Sequence, residues 1–363
     1  MKRTLNFCHG RVGLIAAVLL FFTFMTNSTC RGNDANQNLQ WKKITPLPDR
    51  EGFAGPFAGV HNGALIVAGG ANFPGKRPWE GGEKIWYDSV FVLEKPDGEW
   101  KTGFKLPRPL GYGASISHSS GVICIGGSDN KQHHENIFTL SCVNGKIQIA
   151  RLPDLPKPCA NLCGALVNEM IYIAGGLEKP DSTNALKTFF ALDLKKPDAG
   201  WKELEPWPGP ERMLAVAGVA NGKFFLFGGA SLKKGADGKV VREWLRDAYC
   251  FTSSQGWKRL ADLPRPAVAA PSPASFVGNK LLILGGDDGA QINTPPTEHH
   301  GFPRDVLAYD VKTDSWEKLS EMPFGLVTTP SVNWNKQIIV PGGEARPGIR
   351  STEVWAGSLI RSR

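Results

Sequence analysis

Six short apolar runs divide the chain at nearly equal intervals, and each ends in a Gly-Gly pair. The runs occupy positions 64–70, 122–127, 170–176, 224–229, 281–286 and 338–343. The spacing between successive pairs is nearly constant, at roughly 50 residues, which lies in the range of structural repeats. Short runs of β-branched and aromatic residues bounded by glycine are typical of buried strands rather than helices. The pattern therefore predicts six repeats, each built around one buried strand.

The residues around each run predict three further strands per repeat, so that the strands can be lettered a to d, with the apolar run as strand b. Asn62-Gly63 and Asn221-Gly222 precede two of the runs and are typical of a tight turn from strand a. Strand d opens on tryptophan and ends in Leu-Pro or a similar pair in most repeats, at positions 100–107, 201–208, 257–264 and 316–323. The second repeat has positions 147–153 in that place, without the tryptophan. Four strands at this period, six times over, indicate an all-β, six-bladed β-propeller.

The two ends of the repeat array complement each other. Residues 41–48 have the pattern of strand d with no strand a, b or c before them, whereas the last repeat ends with strand c near Trp355. We therefore predict that the N-terminal strand completes the C-terminal blade and closes the ring, which removes the exposed sheet edges of an open array. The propeller is expected to span residues 41–360, after a linker at 31–40.

The segment 1–30 is typical of a secretory signal rather than of the fold. A basic segment with Lys2, Arg3 and Arg11 comes first, and an apolar run follows at positions 12–25. This run is too short for a comfortable membrane span. Cys30 follows the polar end of this segment. Two alternatives are open: cleavage nearby, or lipid attachment at Cys30. We expect an exported protein that is periplasmic or associated with the outer membrane.

Composition excludes some classes of function. The formal charge of +8 is spread without blocks of lysine or arginine, so we expect no nucleic-acid partner. A mildly basic surface favours an anionic small molecule. Beyond the signal, an odd and scattered number of cysteines argues against a disulfide framework. Cys159 and Cys163 are predicted to be buried thiols in a strand, with a bridge or half of a metal site as the alternatives.

Candidate chemistry lies in the loops of one end of the ring. Successive strands of a blade are antiparallel, so the b–c loops and the d–a loops emerge at the same end. Acids, arginines and aromatic residues therefore converge on the central channel, an arrangement that suits an anionic sugar. The residues of interest are Asn72, Asp287, Glu344, Arg346 and Arg350 in b–c loops, and Arg108 and Tyr112 in d–a loops.

Several motifs carry a resemblance to a known family. The Gly-Gly, aromatic and tryptophan pattern resembles kelch repeats across residues 41–360. Positions 57–59, 68–73, 108–113 and above all 343–350 are similar to those of the bacterial N-acetylneuraminate epimerases, the sialic acid mutarotases of the kelch class. The motif lies in the final repeat here and mid-chain in the family, so the chain resembles a cyclically permuted version.

The resemblance implies an activity and roles for the site residues. A mutarotase interconverts the α and β anomers of N-acetylneuraminate by opening and reclosing the sugar ring, without a cofactor or metal. The family motif places the catalytic glutamate at Glu344 and its partner arginine at Arg350. We expect Glu344 to act as base and Arg350 to clamp the sugar carboxylate or to tune Glu344. The predicted substrate-binding residues are Arg108, Tyr112, Asn72, Asp287 and Arg346.

Other interpretations of the same residues remain open. Arg350 can be matched with Arg246 and Arg304, just before strand c, which makes it a repeat-consensus residue. The position of Glu344 after Gly-Gly is otherwise acidic only at Asp287. At the level of the whole chain, the alternatives are a non-catalytic propeller that binds a glycan or protein, and a glycosidase with Glu344 and Asp287 as its two carboxylates.

Two further features of the loops carry predictions. The loop at 71–86 is rich in glycine and aromatic residues and either forms a rim over the sugar or packs on a neighbouring blade. The pairs His133-His134 and His299-His300 lack the spacing of further metal ligands. We expect them to be solvent-exposed loop histidines.

Overall fold

Six four-stranded antiparallel sheets make up the fold, as predicted. The computed structural model describes residues 38–235 and 237–360, and the signal segment with Cys30 lies outside these residues. In blades 1 to 3, strands a to d are Phe57–His61, Ala64–Ala68, Ser89–Leu93 and Lys101–Lys105; Ala114–His118, Gly121–Ile125, Ile137–Val143 and Lys146–Leu152; and Cys163–Val167, Met170–Ala174, Phe189–Asp193 and Lys202–Leu204. In blades 4 to 6 they are Val216–Ala220, Lys223–Phe227, Ala248–Thr252 and Gly256–Leu260; Ser275–Val277, Lys280–Leu284, Asp305–Asp310 and Ser315–Glu321; and Val332–Trp334, Gln337–Pro341, Val354–Ile360 and Asn38–Ile44.

Three b–c loops carry a second, smaller hairpin, and two short 3₁₀ turns complete the elements. The hairpins pair Ala71–Asn72 with Ile85–Trp86, Ala230–Lys234 with Val240–Trp244, and Glu344–Arg346 with Ile349–Arg350. The 3₁₀ turns are Pro78–Glu80 and Pro197–Ala199. In the described part of the chain, no helix has the length and apolar character needed to cross a membrane.

The N-terminal strand closes the ring, which confirms the prediction from the two chain ends. Asn38–Ile44 pairs antiparallel with Val354–Ile360, and Trp41 lies opposite Gly357. Strand a of blade 6 contacts strand a of blade 1, so the first and last blades are neighbours. The strand begins earlier than predicted, so residues 38–40 belong to blade 6 rather than to the linker.

The recurring tryptophan at the start of strand d ties four of the six blades to the blade before them. The indole Nε1 donates a hydrogen bond to a backbone carbonyl that follows strand d of the preceding blade. The pairs and distances are Trp100 to Thr45 at 3.1 Å, Trp201 to Pro153 at 2.9 Å, Trp257 to Glu205 at 2.8 Å and Trp316 to Ala261 at 2.9 Å. A large apolar ring with one N–H donor can fill the space between blades and still satisfy its polar atom.

A closed ring of six backbone hydrogen bonds joins the blades around the channel. One residue in each d–a loop has φ between 51° and 63°, the left-handed region. Its N–H donates to the carbonyl of the equivalent residue in the preceding blade, at 2.6–2.8 Å, and blade 1 donates to blade 6. We call these residues the axial ring; they are Gly55, Tyr112, Asn161, Leu214, Ala269 and Thr328.

The cysteines beyond the signal are buried and free of disulfides. Cys163 lies in strand a of blade 3, but Cys159 lies in the loop before that strand rather than in the strand itself. Burial raises the pKa of both thiols to about 12. The prediction of two buried thiols is confirmed, and the thiols are unreactive at neutral pH.

Candidate functional site

The d–a and b–c loops of each blade are joined at the channel, which confirms their predicted convergence. The residue before each axial-ring residue forms an antiparallel bridge with the residue after Gly-Gly in the same blade. In blade 6 this bridge holds Glu344: its N–H donates to Val327 at 2.9 Å, and its carbonyl accepts from Val327 at 3.0 Å. The backbone of Glu344 is therefore held next to the axial ring by rigid neighbours.

The Glu344 side chain is held at one oxygen and available at the other. Arg350 lies opposite Glu344 in the small hairpin, and its Nη1 donates to Glu344 Oε1 at 2.6 Å. The backbone N–H of Gly348 donates to the same oxygen at 2.8 Å. Within residues 38–235 and 237–360, Oε2 accepts no hydrogen bond from the protein, and the side chain is 18% exposed. A carboxylate that is held through one oxygen, and whose other oxygen has no protein partner, suits a general base.

Arg350 is buried, and two of its N–H donors form hydrogen bonds within the protein. Its side chain is 3% exposed. Besides Glu344, it donates from Nε to the carbonyl of Ala71 in blade 1 at 3.3 Å, and its guanidinium lies 5.1 Å from the ring centre of Phe73. These contacts favour the role of partner to Glu344 over that of a free carboxylate clamp.

The register of the repeats shows that the repeat-consensus interpretation of Arg350 is wrong. In blade 6 the N–H of Gly342 donates to the carbonyl of Glu353, and the equivalent bond recurs in all six blades, so it aligns the b–c loops. By this alignment, Arg246 and Arg304 lie two positions later in the repeat than Arg350 does. The residues that correspond to Arg350 in blades 1 to 5 are Trp86, His133, Ala185, Trp244 and Phe302. Arg350 is thus specific to blade 6.

Tyr112 and Lys84 complete the cluster around this ion pair. Tyr112 belongs to the axial ring, and burial raises the pKa of its phenol while nearby Arg350 opposes the shift, so the phenol is neutral at physiological pH. The Lys84 Nζ lies 4.0 Å from the ring centre of Tyr112 and 4.6 Å from that of Trp86. Burial lowers the pKa of Lys84 to about 8, with a further decrease from Arg350 and an opposing effect from Glu344.

The sequence pattern does not single out Lys84, although it does single out the loop that contains it. The loop at 71–86 was identified as a candidate rim from its glycines and aromatic residues, and Lys84 lies between them. The structure brings this loop to the Glu344 hairpin: a Cβ on Gly348 would lie 2.9 Å from Pro78. The loop therefore packs on a neighbouring blade and also contributes to the site.

Asn72 lies beside the site with its side chain used by the protein. It is 1% exposed. Its amide nitrogen donates to Gly52 at 2.9 Å and to Asp49 at 3.3 Å, and its carbonyl oxygen accepts from the Tyr87 hydroxyl at 2.9 Å. These contacts are those of a residue that supports the loop, and its predicted contact with substrate stays a prediction.

Asp287 and Arg346 lie on the other flank of Glu344, near His299. Burial lowers the pKa of His299, so this imidazole is neutral at pH 7. The charges of Asp287, Arg346 and Glu344 also act on this pKa. The two carboxylate oxygens of Asp287 accept from Trp244 Nε1 at 3.2 Å and from the Gly289 N–H at 2.9 Å. Both oxygens of Asp287 are thus engaged by the protein, whereas the bonds to Glu344 share one oxygen.

Arg108 is placed apart from the ion pair. It is exposed, and its Nη1 lies 3.1 Å from Nδ1 of His134, whose Nε2 is 2.8 Å from Asp129. It lines a groove with Ile149 and Arg151 rather than the channel. Its role in substrate binding stays a prediction.

The expectation of solvent-exposed histidines is wrong for three of the four. His133, His134 and His299 are 7%, 3% and 5% exposed, and only His300 is exposed. Hydrogen bonds explain the burial, since His133 bonds the Leu177 carbonyl at 2.9 Å and His299 accepts from the Gly301 N–H at 3.0 Å. A buried imidazole needs such partners.

The cavity at the axial ring is too small for a sugar. It measures about 70 Å³ and is lined by ring residues and the first residues of strands a. Ligand pockets for small molecules typically measure about 300 Å³ or more, so this cavity suits ordered water. A sugar would lie outside this cavity, at the end of the channel where the b–c loops carry Glu344 and Lys84.

Comparison with known proteins points to one family. The sequence model of the family described as N-acetylneuraminate epimerase matches residues 23–149 and 152–295, and a kelch-motif model matches 270–323. The N-acetylneuraminate epimerase of Haemophilus influenzae (strain 86-028NP) is 29% identical over 233 residues, which cover 57% of this chain and 59% of the relative. That of Yersinia pestis (strain Pestoides F) is 29% identical over 234 residues, covering 57% of each. The aligned part thus spans less than two thirds of these relatives.

A solved structure supports the same fold. The chain is similar to the structure titled "Structure of YjhT", with a TM-score of 0.61 and 15% identity over 86% of this chain and 96% of that one. At this identity the similarity shows the fold alone. The family match ends at residue 295, before the Glu344 hairpin.

Proposed function

This chain belongs to the N-acetylneuraminate epimerase family, and on that premise we propose that it interconverts the α and β anomers of N-acetylneuraminate. The observation that supports this proposal best is the Glu344 carboxylate, with one oxygen held by Arg350 and Gly348 and the other without a partner among the described residues. Such a group can accept a proton and return it without moving its backbone.

The proposed reaction needs only proton transfers. Glu344 Oε2 removes the proton of the anomeric hydroxyl, and a second group gives a proton to the ring oxygen as the bond between that oxygen and C2 breaks. The product is an open-chain ketone with no change in oxidation state. Rotation about the bond to C2 and reclosure on the other face, with the proton transfers reversed, gives the other anomer. No cofactor is required.

Tyr112 is our candidate for the second group. Its phenol stays protonated because burial raises its pKa, and it lies beside Arg350 and Glu344. A neutral O–H can donate to the ring oxygen, and the phenolate formed is stabilised by the neighbouring Arg350 cation. Arg350 in this account positions Glu344 rather than binding the substrate.

The environment of Asp287 argues against a glycosidase. Hydrolysis of a glycosidic bond uses two carboxylates that flank that bond. Both oxygens of Asp287 already accept hydrogen bonds from Trp244 and Gly289. Only Glu344 in this pair of positions offers an oxygen without a protein partner among the described residues.

We also propose that the protein is exported, with the segment 1–30 as its signal. The support is the order of a basic segment, an apolar run at positions 12–25 and a polar end before Cys30. Fractionation of cells that make the full chain tests this point. Activity confined to the cytoplasmic fraction, with the segment intact, would contradict it.

The proposed activity is tested by adding purified protein to freshly released α-N-acetylneuraminate and following both anomers by proton NMR. We expect equilibrium to be reached faster than in buffer alone. A rate equal to the spontaneous rate, together with sugar binding by saturation-transfer NMR, would show a non-catalytic propeller instead. Release of free sugar from a sialoside would show a glycosidase.

A further inference from the structure

We propose that Lys84 binds the carboxylate of the substrate and so determines its preference for acidic sugars. This inference rests on the proposed function, since it names the residue of that same site that selects the substrate. No motif points to Lys84; its position in the folded molecule does.

The first reason is that Arg350 is buried and already paired with Glu344. A sugar carboxylate bonded to C2 lies beside the anomeric hydroxyl, so a cation must lie close to Glu344. Arg350 is close, but its side chain is 3% exposed and it already donates to Glu344 and to Ala71. These contacts use two of its five N–H donors, and the burial of the side chain leaves little of the guanidinium accessible to a second carboxylate.

The second reason is that Lys84 is a cation without an anionic partner. It takes part in no ion pair within the part of the chain that the structure describes, and its Nζ lies over Tyr112 and Trp86. The faces of aromatic rings attract an ammonium and hold it in place, but they leave its N–H donors unused. Lys84 is therefore positioned and still able to bind an anion.

The third reason is the charge balance of the cluster. The charged side chains that act on Lys84 are Arg350, which repels it, and Glu344, which attracts it, and the phenol of Tyr112 packed against it is neutral. With all three charged groups ionised, two cations face one anion. An incoming carboxylate supplies the missing negative charge and relieves the repulsion between Lys84 and Arg350.

Arg346 and Arg108 are less suitable. Arg346 lies on the flank of Glu344 that faces His299 and Asp287, where an anion is already present. Arg108 contacts His134 and lines a separate groove. Lys84 lies on the side of Tyr112, our candidate donor to the ring oxygen.

A double-mutant-type cycle tests the proposal, with one change made in the protein and the other in the sugar. Lys84→Gln removes the charge from the protein, and the methyl ester of N-acetylneuraminate removes it from the sugar. We expect Lys84→Gln to raise KM for the free acid roughly 10- to 100-fold, as for loss of a hydrogen bond between charged groups. The ester should weaken binding to the wild-type protein by a similar factor, yet change little in the variant. Lys187→Gln removes one exposed lysine from a b–c loop of blade 3 at the same end of the ring and should leave KM unchanged.

The pH profile supplies an independent readout. Because kcat/KM reports groups of the free enzyme, it should fall above about pH 8 in the wild-type protein as Lys84 loses its proton, after subtraction of the spontaneous rate. This step should be absent in Lys84→Gln. Thermal unfolding of each variant confirms that the fold is intact.

The outcomes separate this inference from the proposed function. If the wild-type protein speeds anomer exchange but the two changes are additive in the cycle, Lys84 does not contact the carboxylate and this inference fails. If Lys84→Gln lowers kcat alone, with KM unchanged, it fails as well. If the wild-type protein neither binds the sugar nor speeds its exchange, the proposed function itself fails.

Discussion

Glu344 and Arg350 form an ion pair in which each residue has a different role. The arginine is buried and donates to Glu344 and to the carbonyl of Ala71, so it links the hairpin of blade 6 to blade 1. The glutamate has one oxygen, Oε2, that remains available to accept a proton in the proposed reaction. A buried arginine with two acceptors positions a carboxylate more firmly than a lysine could, because its donors are fixed in one plane.

Removing the arginine should cost both stability and activity. Arg350→Ala leaves Glu344 without its cation, and we expect a loss of about 3 kcal/mol in the free energy of unfolding, as for a broken buried ion pair. Denaturant titration measures it. Arg304→Ala is the control, because Arg304 forms an exposed pair with Glu321 at 3.5 Å and should cost at most about 1 kcal/mol. Equal losses in both variants would show that the pair is no more than a surface contact.

At the scale of single elements, the Glu344 hairpin depends on one glycine. Gly348 has φ of 78°, and its N–H donates to Glu344 Oε1. A Cβ there would lie 2.9 Å from Pro78 and 3.0 Å from Trp79, both in the loop of blade 1. The absence of a side chain therefore lets two loops meet and fixes the carboxylate at their junction.

Gly348→Ala should disturb the hairpin and lower the rate of anomer exchange about tenfold or more, since small displacements of a catalytic group are costly. Gly63→Ala is the matched control: it has φ of 77° but nothing within 4 Å of the added carbon. Backbone strain alone should lower the stability of the control by about 1 kcal/mol and leave its activity unchanged. Comparable activity losses in the two variants would show that the contact with blade 1 is unimportant.

The sequence predicted elements better than it predicted the site. The Gly-Gly runs and the tryptophan strands follow local rules of turns and strand composition, so all six blades were predicted. Lys84 became visible only when the loop of blade 1 was packed against blade 6. The burial of His133 likewise depends on the carbonyl of Leu177, far along the chain, and that of His299 on the N–H of Gly301 in its own loop. Four of the six axial-ring residues are neither glycine nor asparagine, so their positive φ left no signal in the sequence.

At the scale of the whole molecule, two devices close the ring. The axial ring joins all six blades through the backbone, and the N-terminal strand completes blade 6 at the outer edge. Trp41 in that strand packs edge-on against Phe324 with ring centres 5.0 Å apart, and a Cβ on Gly357 would lie 2.8 Å from it. The same blade carries Glu344, so closure and site share one sheet.

Weakening this closure should affect the entire fold. Trp41→Ala should lower the free energy of unfolding by roughly 2–4 kcal/mol, as for loss of a large aromatic side chain from a packed interface. Lys42→Ala changes an exposed residue in the same strand and should cost no more than about 0.5 kcal/mol. Calorimetry measures both. A wild-type melting temperature in Trp41→Ala would show that closure contributes little.

The central claim is that Glu344 is the base of a mutarotase, and Glu344→Gln tests it most directly. The substitution keeps size and hydrogen bonding but removes the proton acceptor. Anomer exchange of freshly released α-N-acetylneuraminate should fall to the spontaneous rate, while saturation-transfer NMR still shows bound sugar. Glu353→Gln, in the same blade but paired with Lys43 away from the site, should keep the wild-type rate. Exchange at the wild-type rate in Glu344→Gln would contradict the assignment of the base.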